Sequence, residues 1–406
     1  MNADAIGKYL SKLRKFYKVT QDELAERVGV TRQAVSKWET GVAIPDIEIL
    51  MRLSEIYGIS INEILKADLT KIKFQKEIVF PDEDKQSKKV FVIGCGRWGT
   101  FIAWYLDKIG HKVTLYGREQ SLNMMQLQKT RKNDYLRIPE SIKLSNTYED
   151  IQDTDYVVIS VGAQKLQEVA DELKARRVCK KVVILCMKGI EIKTGRRLSQ
   201  VASDTLDQSN NVAVWLGPGH VQEFYRGIPN CMVIDSNNEL VKDELIRSFS
   251  SELIRFYYGT DLIGNEIGAA AKNVIGIAAG MLEGLDLSSL KGALMARGTS
   301  EIARLIIAMG GNAETVYGLS HLGDYEATLF SEHSHNLSFG KNIVQGQEYD
   351  ALAEGYYTVI AIHKLAKAYG VELPICEAVY QIVHEQKEPR SILRLLFERS
   401  LKNEFV

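Results

Sequence analysis

The run KKVFVIGCGRWGTFIAWYLDKIG, residues 88–110, limits the possible folds more than any other stretch of this chain. Its apolar, β-branched start suits a strand buried on both faces of a parallel sheet. The Gly-x-Gly-x-x-Gly that follows, and the helical pattern after it, give each glycine a separate task. Gly94 makes the tight turn, Gly96 lets the backbone approach a pyrophosphate, and Gly99 permits close helix–strand packing. A bound anion would then rest on the helix N-terminus. The segments HKVTLYG, DYVVISVG and KKVVILCMKG read as further strands, so β and α elements alternate as a doubly wound sheet requires. The first of these, HKVTLYG, ends without the Asp or Glu that would hold a ribose 2′-hydroxyl and delivers Gly117-Arg118 instead. A guanidinium there suits a 2′-phosphate, which favours NADP over NAD, the alternative being a surface arginine.

With 406 residues the chain has room for two or three domains, and a 45% apolar, 25% charged composition is that of a soluble globular protein. No stretch reaches the 18 or so apolar residues that cross a bilayer, and the N-terminus has no apolar signal region. The five cysteines form no CxxC pair, which is the usage of free thiols in a reducing cytoplasm.

The first sixty-six residues form a separate pattern. Ile6, Leu10 and Leu13 mark one face of a helix, and Thr20-Gln21-Asp22-Glu23 reads as a capping box for a second. Gly29 closes that helix and Thr31 caps a third, RQAVSKWE, with Val35 and Trp38 inward. Pro45-Asp46 opens a fourth helix, and Ser60 to Glu63 reads as another capping box. Two short helices around a tight glycine turn, the second exposing Arg32, Gln33, Ser36 and Lys37, have helix-turn-helix geometry. The competing reading is a small helical bundle with a solvated face. The string TQDELAERVGVTRQAVSKWETGVAIPDIEIL resembles the Cro/repressor-type helix-turn-helix family over residues 5–66. That resemblance implies five helices, with the third entering the major groove of double-stranded DNA. Gln21 would lie on phosphate, Gln33, Ser36 and Lys37 on base edges, and Arg32 on bases or backbone. Ten Lys/Arg against nine Asp/Glu in residues 1–66 predict modest, salt-sensitive affinity for non-specific DNA.

Downstream, CMKGIE, WLGPGHVQE, AAAKNVIGIAAGM and LGDYEATLFSEHSHNLSFG occur in that order. Together they resemble the bacterial-type NAD(P)-dependent glycerol-3-phosphate dehydrogenases over residues 88–395. The resemblance implies a Rossmann domain, an all-helical C-terminal domain, a homodimer, and hydride transfer to dihydroxyacetone phosphate. By position it implies Lys272 as the catalytic lysine. Lys188, Gly217, Gly219, Asn273, Asp324, Ser334, His335 and Asn336 fall on its substrate side. Gly94, Gly96, Arg97, Trp98, Gly99, Arg118, Lys188, Val221, His335 and Glu354 fall on its cofactor side. The chemistry agrees: ketone reduction needs a proton donor beside the developing alkoxide, and a buried lysine near a second cation can trade a proton near neutral pH.

Departures from the family pattern cluster at the substrate. Ser-Arg-Asn becomes Ser334-His335-Asn336, which replaces a permanent forked charge by an imidazole and weakens dianion binding by about 1.5–3 kcal/mol unless another cation compensates. Gly219 stands for a Ser or Thr, Ser289 near a usual Asn, and Tyr357 near a position that can be Arg. Two readings remain open: a working enzyme, or a transcription regulator that uses a degenerate dehydrogenase domain as a metabolite sensor. A third treats residues 1–66 as an interaction module. His220, His333 and His335 do not make a metal site, since His-x-His supplies only two ligands. The expected plan is multidomain. An all-α helix-turn-helix domain over 1–66 and a linker over 67–88 precede an α/β Rossmann domain over 89–260 and an all-α domain over 261–406.

Overall fold

The computed structural model describes residues 3–16, 19–57, 61–67, 86–331 and 334–398. Two compact units, residues 1–79 and 80–406, make up the chain. Most of the expected linker, Ser60 and His333 lie outside the described residues.

The first unit holds five helices, α1 (Ala3–Phe16), α2 (Gln21–Val28), α3 (Arg32–Glu39), α4 (Ile47–Tyr57) and α5 (Ile61–Lys66). Local chemistry sets their ends. The Thr20 hydroxyl accepts from the Glu23 N–H at 3.2 Å, and the Glu23 carboxylate accepts from the Thr20 N–H at 2.7 Å. Two orphan donors of α2 are thereby satisfied. Gly29 ends α2 at φ +74°, the Thr31 hydroxyl caps α3, and Asp46 Oδ1 caps α4 at the Ile49 N–H. Val28, Val35, Leu53 and Ile64 are wholly buried between the helices. A carboxylate from α3 ties the bundle together: Glu39 accepts a two-pronged Arg14 guanidinium and the Gln21 amide.

The second unit is built on an eight-stranded sheet: β1 (Lys89–Ile93), β2 (Lys112–Tyr116), β3 (Lys143–Ser145), β4 (Tyr156–Ile159), β5 (Val182–Leu185), β6 (Asn211–Leu216), β7 (Asn230–Ser236) and β8 (Ile254–Tyr258). Its order is β3-β2-β1-β4-β5-β6-β7-β8, parallel except where β7 pairs antiparallel with β6. The first six strands follow the classic dinucleotide-binding order, with the switch point beside β1. Around the sheet run α6 (Arg97–Lys108), α7 (Leu122–Thr130), α8 (Leu166–Ala175), α9 (Leu198–Thr205), α10 (Val221–Tyr225) and α11 (Glu239–Phe249). Both faces are apolar: Val90, Val92, Phe101 and Trp215 belong to one core, and Phe91, Ile93, Leu166 and Val201 to the other.

The rest of this unit is helical: α12 (Leu262–Gly284), α13 (Lys291–Ala308), α14 (His335–Val344), α15 (Glu354–Tyr369), α16 (Pro374–Val383) and α17 (Pro389–Phe397). Helix α12 is buried almost throughout, which its Ala/Gly-rich sequence allows. Small residues let α14 lie directly on it. A Cβ on Gly280 would meet the Leu337 carbonyl at 2.0 Å, and one on Gly340 would meet the Ile277 carbonyl at the same distance. Among the described residues, no helix is long and apolar enough to cross a membrane.

Candidate functional site

A cleft of about 1070 Å³ opens at the C-terminal ends of β1, β2 and β5, where doubly wound sheets bind ligands. One wall is the Gly94-Cys95-Gly96-Arg97-Trp98 turn, and the other carries Lys272 and Asn273 from α12 with Ser334 to Asn336 from the start of α14. The turn fits a dinucleotide. A Cβ on Gly94 would strike the Ser160 carbonyl at 2.1 Å, and one on Gly99 would strike the Gly94 carbonyl at 1.7 Å, whereas one on Gly96 meets nothing within 4 Å. Gly94 and Gly99 therefore close the turn, and Gly96 keeps an open backbone for a phosphate.

Deep in the cleft, two lysines share one carboxylate. Lys188 Nζ lies 2.6 Å and Lys272 Nζ 2.8 Å from the same oxygen, Oδ2 of Asp324. Lys188 also donates to the Gly217 carbonyl at 2.7 Å, and Lys272 to the Thr328 hydroxyl at 2.7 Å. The Thr328 hydroxyl donates its own hydrogen bond to the Asp324 backbone carbonyl, so its lone pairs face the amine. Burial pushes the Lys272 amine down to about 8; Asp324 opposes the shift and the Lys188 charge adds to it. An amine so placed can give or take a proton close to neutral pH.

The surrounding amides hold the helices in register. Asn336 Nδ2 donates to Asn273 Oδ1 at 3.1 Å, and Asn336 Oδ1 accepts the Gly355 N–H at 2.9 Å. The Ser334 hydroxyl caps α14 through the Leu337 N–H. His335 Nδ1 lies 2.6 Å from the Tyr349 hydroxyl. Burial, reinforced by the Arg97 charge, lowers the His335 pKa, so the imidazole is neutral near pH 7. Glu354, at the head of α15, faces Gly162 and Gly189 across the cleft, and burial raises its pKa against a hydrogen bond from the Ala163 N–H.

Three comparisons identify the family. Residues 89–242 match the N-terminal model of NAD-dependent glycerol-3-phosphate dehydrogenase, and residues 261–394 match its C-terminal model. A relative from Clostridium botulinum (strain Alaska E43 / Type E3), named glycerol-3-phosphate dehydrogenase [NAD(P)+], is 33% identical over 329 residues, 78% of this chain and 99% of that protein. The chain belongs to the NAD-dependent glycerol-3-phosphate dehydrogenase family.

Members of this family are oxidoreductases, and the relatives' names give NAD(P)+ as the cofactor. A like-named Thermotoga sp. (strain RQ2) relative is 35% identical over 327 residues, again 78% of this chain and 99% of its own length. The solved glycerol-3-phosphate dehydrogenase of Coxiella burnetii superposes with a TM-score of 0.71 at 29% identity, covering 77% of this chain and 99% of that one. Residues 10–64 match a helix-turn-helix model.

Not every residue that the family pattern marks faces the cleft. Gly94, Gly96, Arg97, Trp98, Arg118, Lys188, Gly219, Lys272, Asn273, Asp324, Ser334, His335, Asn336 and Glu354 line it. Gly99 packs on Gly94, Gly217 acts through its carbonyl, and Val221 is buried in the core with Phe224. At Gly219 (φ +135°) a Cβ would run into the Phe224 ring at 2.3 Å, so a Ser or Thr cannot enter without rebuilding the turn. Thr328 was missed, although Asp324-x-x-x-Thr328 places both on one turn of helical backbone. Tyr349 sits in a connecting segment without local periodicity, and no short-range pattern links it to His335. Among the described residues, no group of three His, Cys, Asp or Glu side chains is placed to hold a metal ion.

In the helix-turn-helix unit, Arg32, Gln33 and Lys37 are exposed on α3 and Ser36 is half-buried. Gln21 is engaged with Glu39 at 2.8 Å, and Arg32 lies 3.7 Å from Asp22.

Proposed function

We propose that this chain reduces dihydroxyacetone phosphate to sn-glycerol 3-phosphate with NADPH or NADH. The observation that carries the reading is the Lys272–Asp324–Lys188 cluster, open to the same cleft as the glycine turn. A bound reduced nicotinamide supplies hydride. The chain's own share is to hold the ketone oxygen beside Lys272, pass it a proton, and keep Lys272 aimed through Thr328 and Asp324. The second lysine stabilises the alkoxide as it forms. Steady-state oxidation of NADPH and of NADH with dihydroxyacetone phosphate tests this directly. Arg118 lines the cleft just beyond the end of β2, where a 2′-phosphate of NADPH would meet it. Arg118→Ala is expected to raise the NADPH KM by about ten- to hundredfold, the worth of a charged hydrogen bond, and to leave NADH little affected. Equal losses with both cofactors would remove the argument for NADP.

The neutral imidazole of His335 favours a second reading, a regulator whose dehydrogenase fold senses metabolites. Absence of turnover with either cofactor, with cofactor binding intact in Lys272→Ala, would establish that reading in place of the first.

Residues 1–66 are proposed to bind double-stranded DNA through α3. Selection from a random duplex pool at low salt should enrich a site, and Gln33→Ala should relax preference at one base pair at a cost of about 1–3 kcal/mol. A dimeric dehydrogenase half would carry two such units and predicts a palindrome with half-sites about 34 Å apart. Failure to enrich any duplex would leave the unit as an interaction module.

A further inference from the structure

We infer that Arg97, the first residue of α6, supplies the permanent positive charge for the substrate's phosphate that His335 lacks, so that the phosphate subsite spans the cleft from the glycine turn to α14. This rests on the proposed reduction of a phosphorylated triose. Arg97 and His335 open two helices, and both line the one cleft. The guanidinium is held in place by the face of Tyr135, 5.6 Å from its ring centre. Among the described residues no carboxylate lies within salt-bridge distance of Arg97, so its charge is available to a ligand. Its charge reaches the opposite wall, where burial lowers the His335 pKa and Arg97 adds to the shift, and where burial raises the Tyr349 pKa and Arg97 opposes the rise.

On the α14 side, the groups present are donors without fixed charge. His335 is held at Nδ1 by the Tyr349 hydroxyl, which leaves Nε2 as its other polar atom. Asn336 is committed to Asn273 and Gly355. A dianion bound there needs a cation, and a forked guanidinium meets phosphate oxygens two at a time. The competing assignment is that Arg97 serves the cofactor's pyrophosphate, since it flanks Gly96.

The full-length chain separates the two. In Arg97→Ser, the KM for dihydroxyacetone phosphate and the Kd for inorganic phosphate, measured by calorimetry on the NADPH-saturated protein, should both rise by about ten- to hundredfold. The Kd for NADPH should rise far less than the Kd for phosphate. Adding His335→Arg to Arg97→Ser should restore phosphate affinity by returning the charge from the other wall. A weakened NADPH Kd with phosphate binding unchanged overturns the inference and gives Arg97 to the pyrophosphate. Equal weakening of both, without rescue by His335→Arg, also overturns it. If the wild type binds phosphate in this Arg97-dependent way but turns over no dihydroxyacetone phosphate, the proposed reaction fails while the subsite stands.

Discussion

Replacing Lys272 by alanine should lower kcat for ketone reduction by about 10²–10⁴-fold, the usual worth of a positioned proton donor, with cofactor Kd unchanged. Lys272 reaches the cleft from the middle of α12, and its amine is fixed by Asp324 and Thr328. Truncation therefore removes the proton donor while the glycine turn on the other wall stays as it is. The pH profile gives a signature that a structural role would not. With the amine titrating at about 8, reduction needs the protonated form, so its kcat/KM should be level below pH 8 and fall above it. Oxidation of glycerol 3-phosphate needs the neutral amine and should rise with pH to a plateau above 8. Steady-state rates in both directions from pH 6 to 10 check this. Identical profiles in the two directions would remove Lys272 from the proton transfer.

Asp324→Ala should destabilise the folded chain by about 3–5 kcal/mol at pH 6, the usual cost of removing one partner from a buried ion pair. Asp324 is 1% exposed, and two ammonium groups converge on a single one of its oxygens. Without it, Lys188 and Lys272 face each other uncompensated. The sign of the pH dependence follows from the lysines. Below pH 8 Lys272 carries charge in the wild type and gains from Asp324. Above that value Lys272 is neutral whether or not the carboxylate is present, so the penalty should shrink by pH 9. Urea midpoints at the two pH values measure the difference. An equal loss at both would mean that Asp324 holds the local backbone and not the pair of charges.

Much of this architecture could be read from the chain because each signal was local. The glycine turn, the Thr20–Glu23 box and the Gly29 stop are settled within a few residues, and the structure places each as a turn or cap. Lys188, Lys272 and Asp324 could be named only through the family pattern. Their meeting at one carboxylate oxygen joins residues 136 and 52 positions apart, which no periodicity reports. The antiparallel β7 was not legible either, since an apolar strand reads the same in both directions. The same limit applies to His335. Its departure from the family arginine was visible in the sequence, but Tyr349 as its partner depends on how the segment after α14 folds back, and the presence of Arg97 in the same cleft depends on the tertiary fold.

The glycine-to-carbonyl contacts between α12 and α14 have an evolutionary consequence. With Gly280 and Gly340 each seated on the other helix's backbone, the helix that carries Lys272 lies directly against the one that begins at His335. The two helices form one plate whose internal spacing does not depend on the side chains at its rim. A rim residue can then be exchanged, arginine for histidine, without moving the lysine beneath it. On the proposed assignment, affinity at the phosphate end could drift and be rebuilt from the opposite wall while Lys272 stays in place.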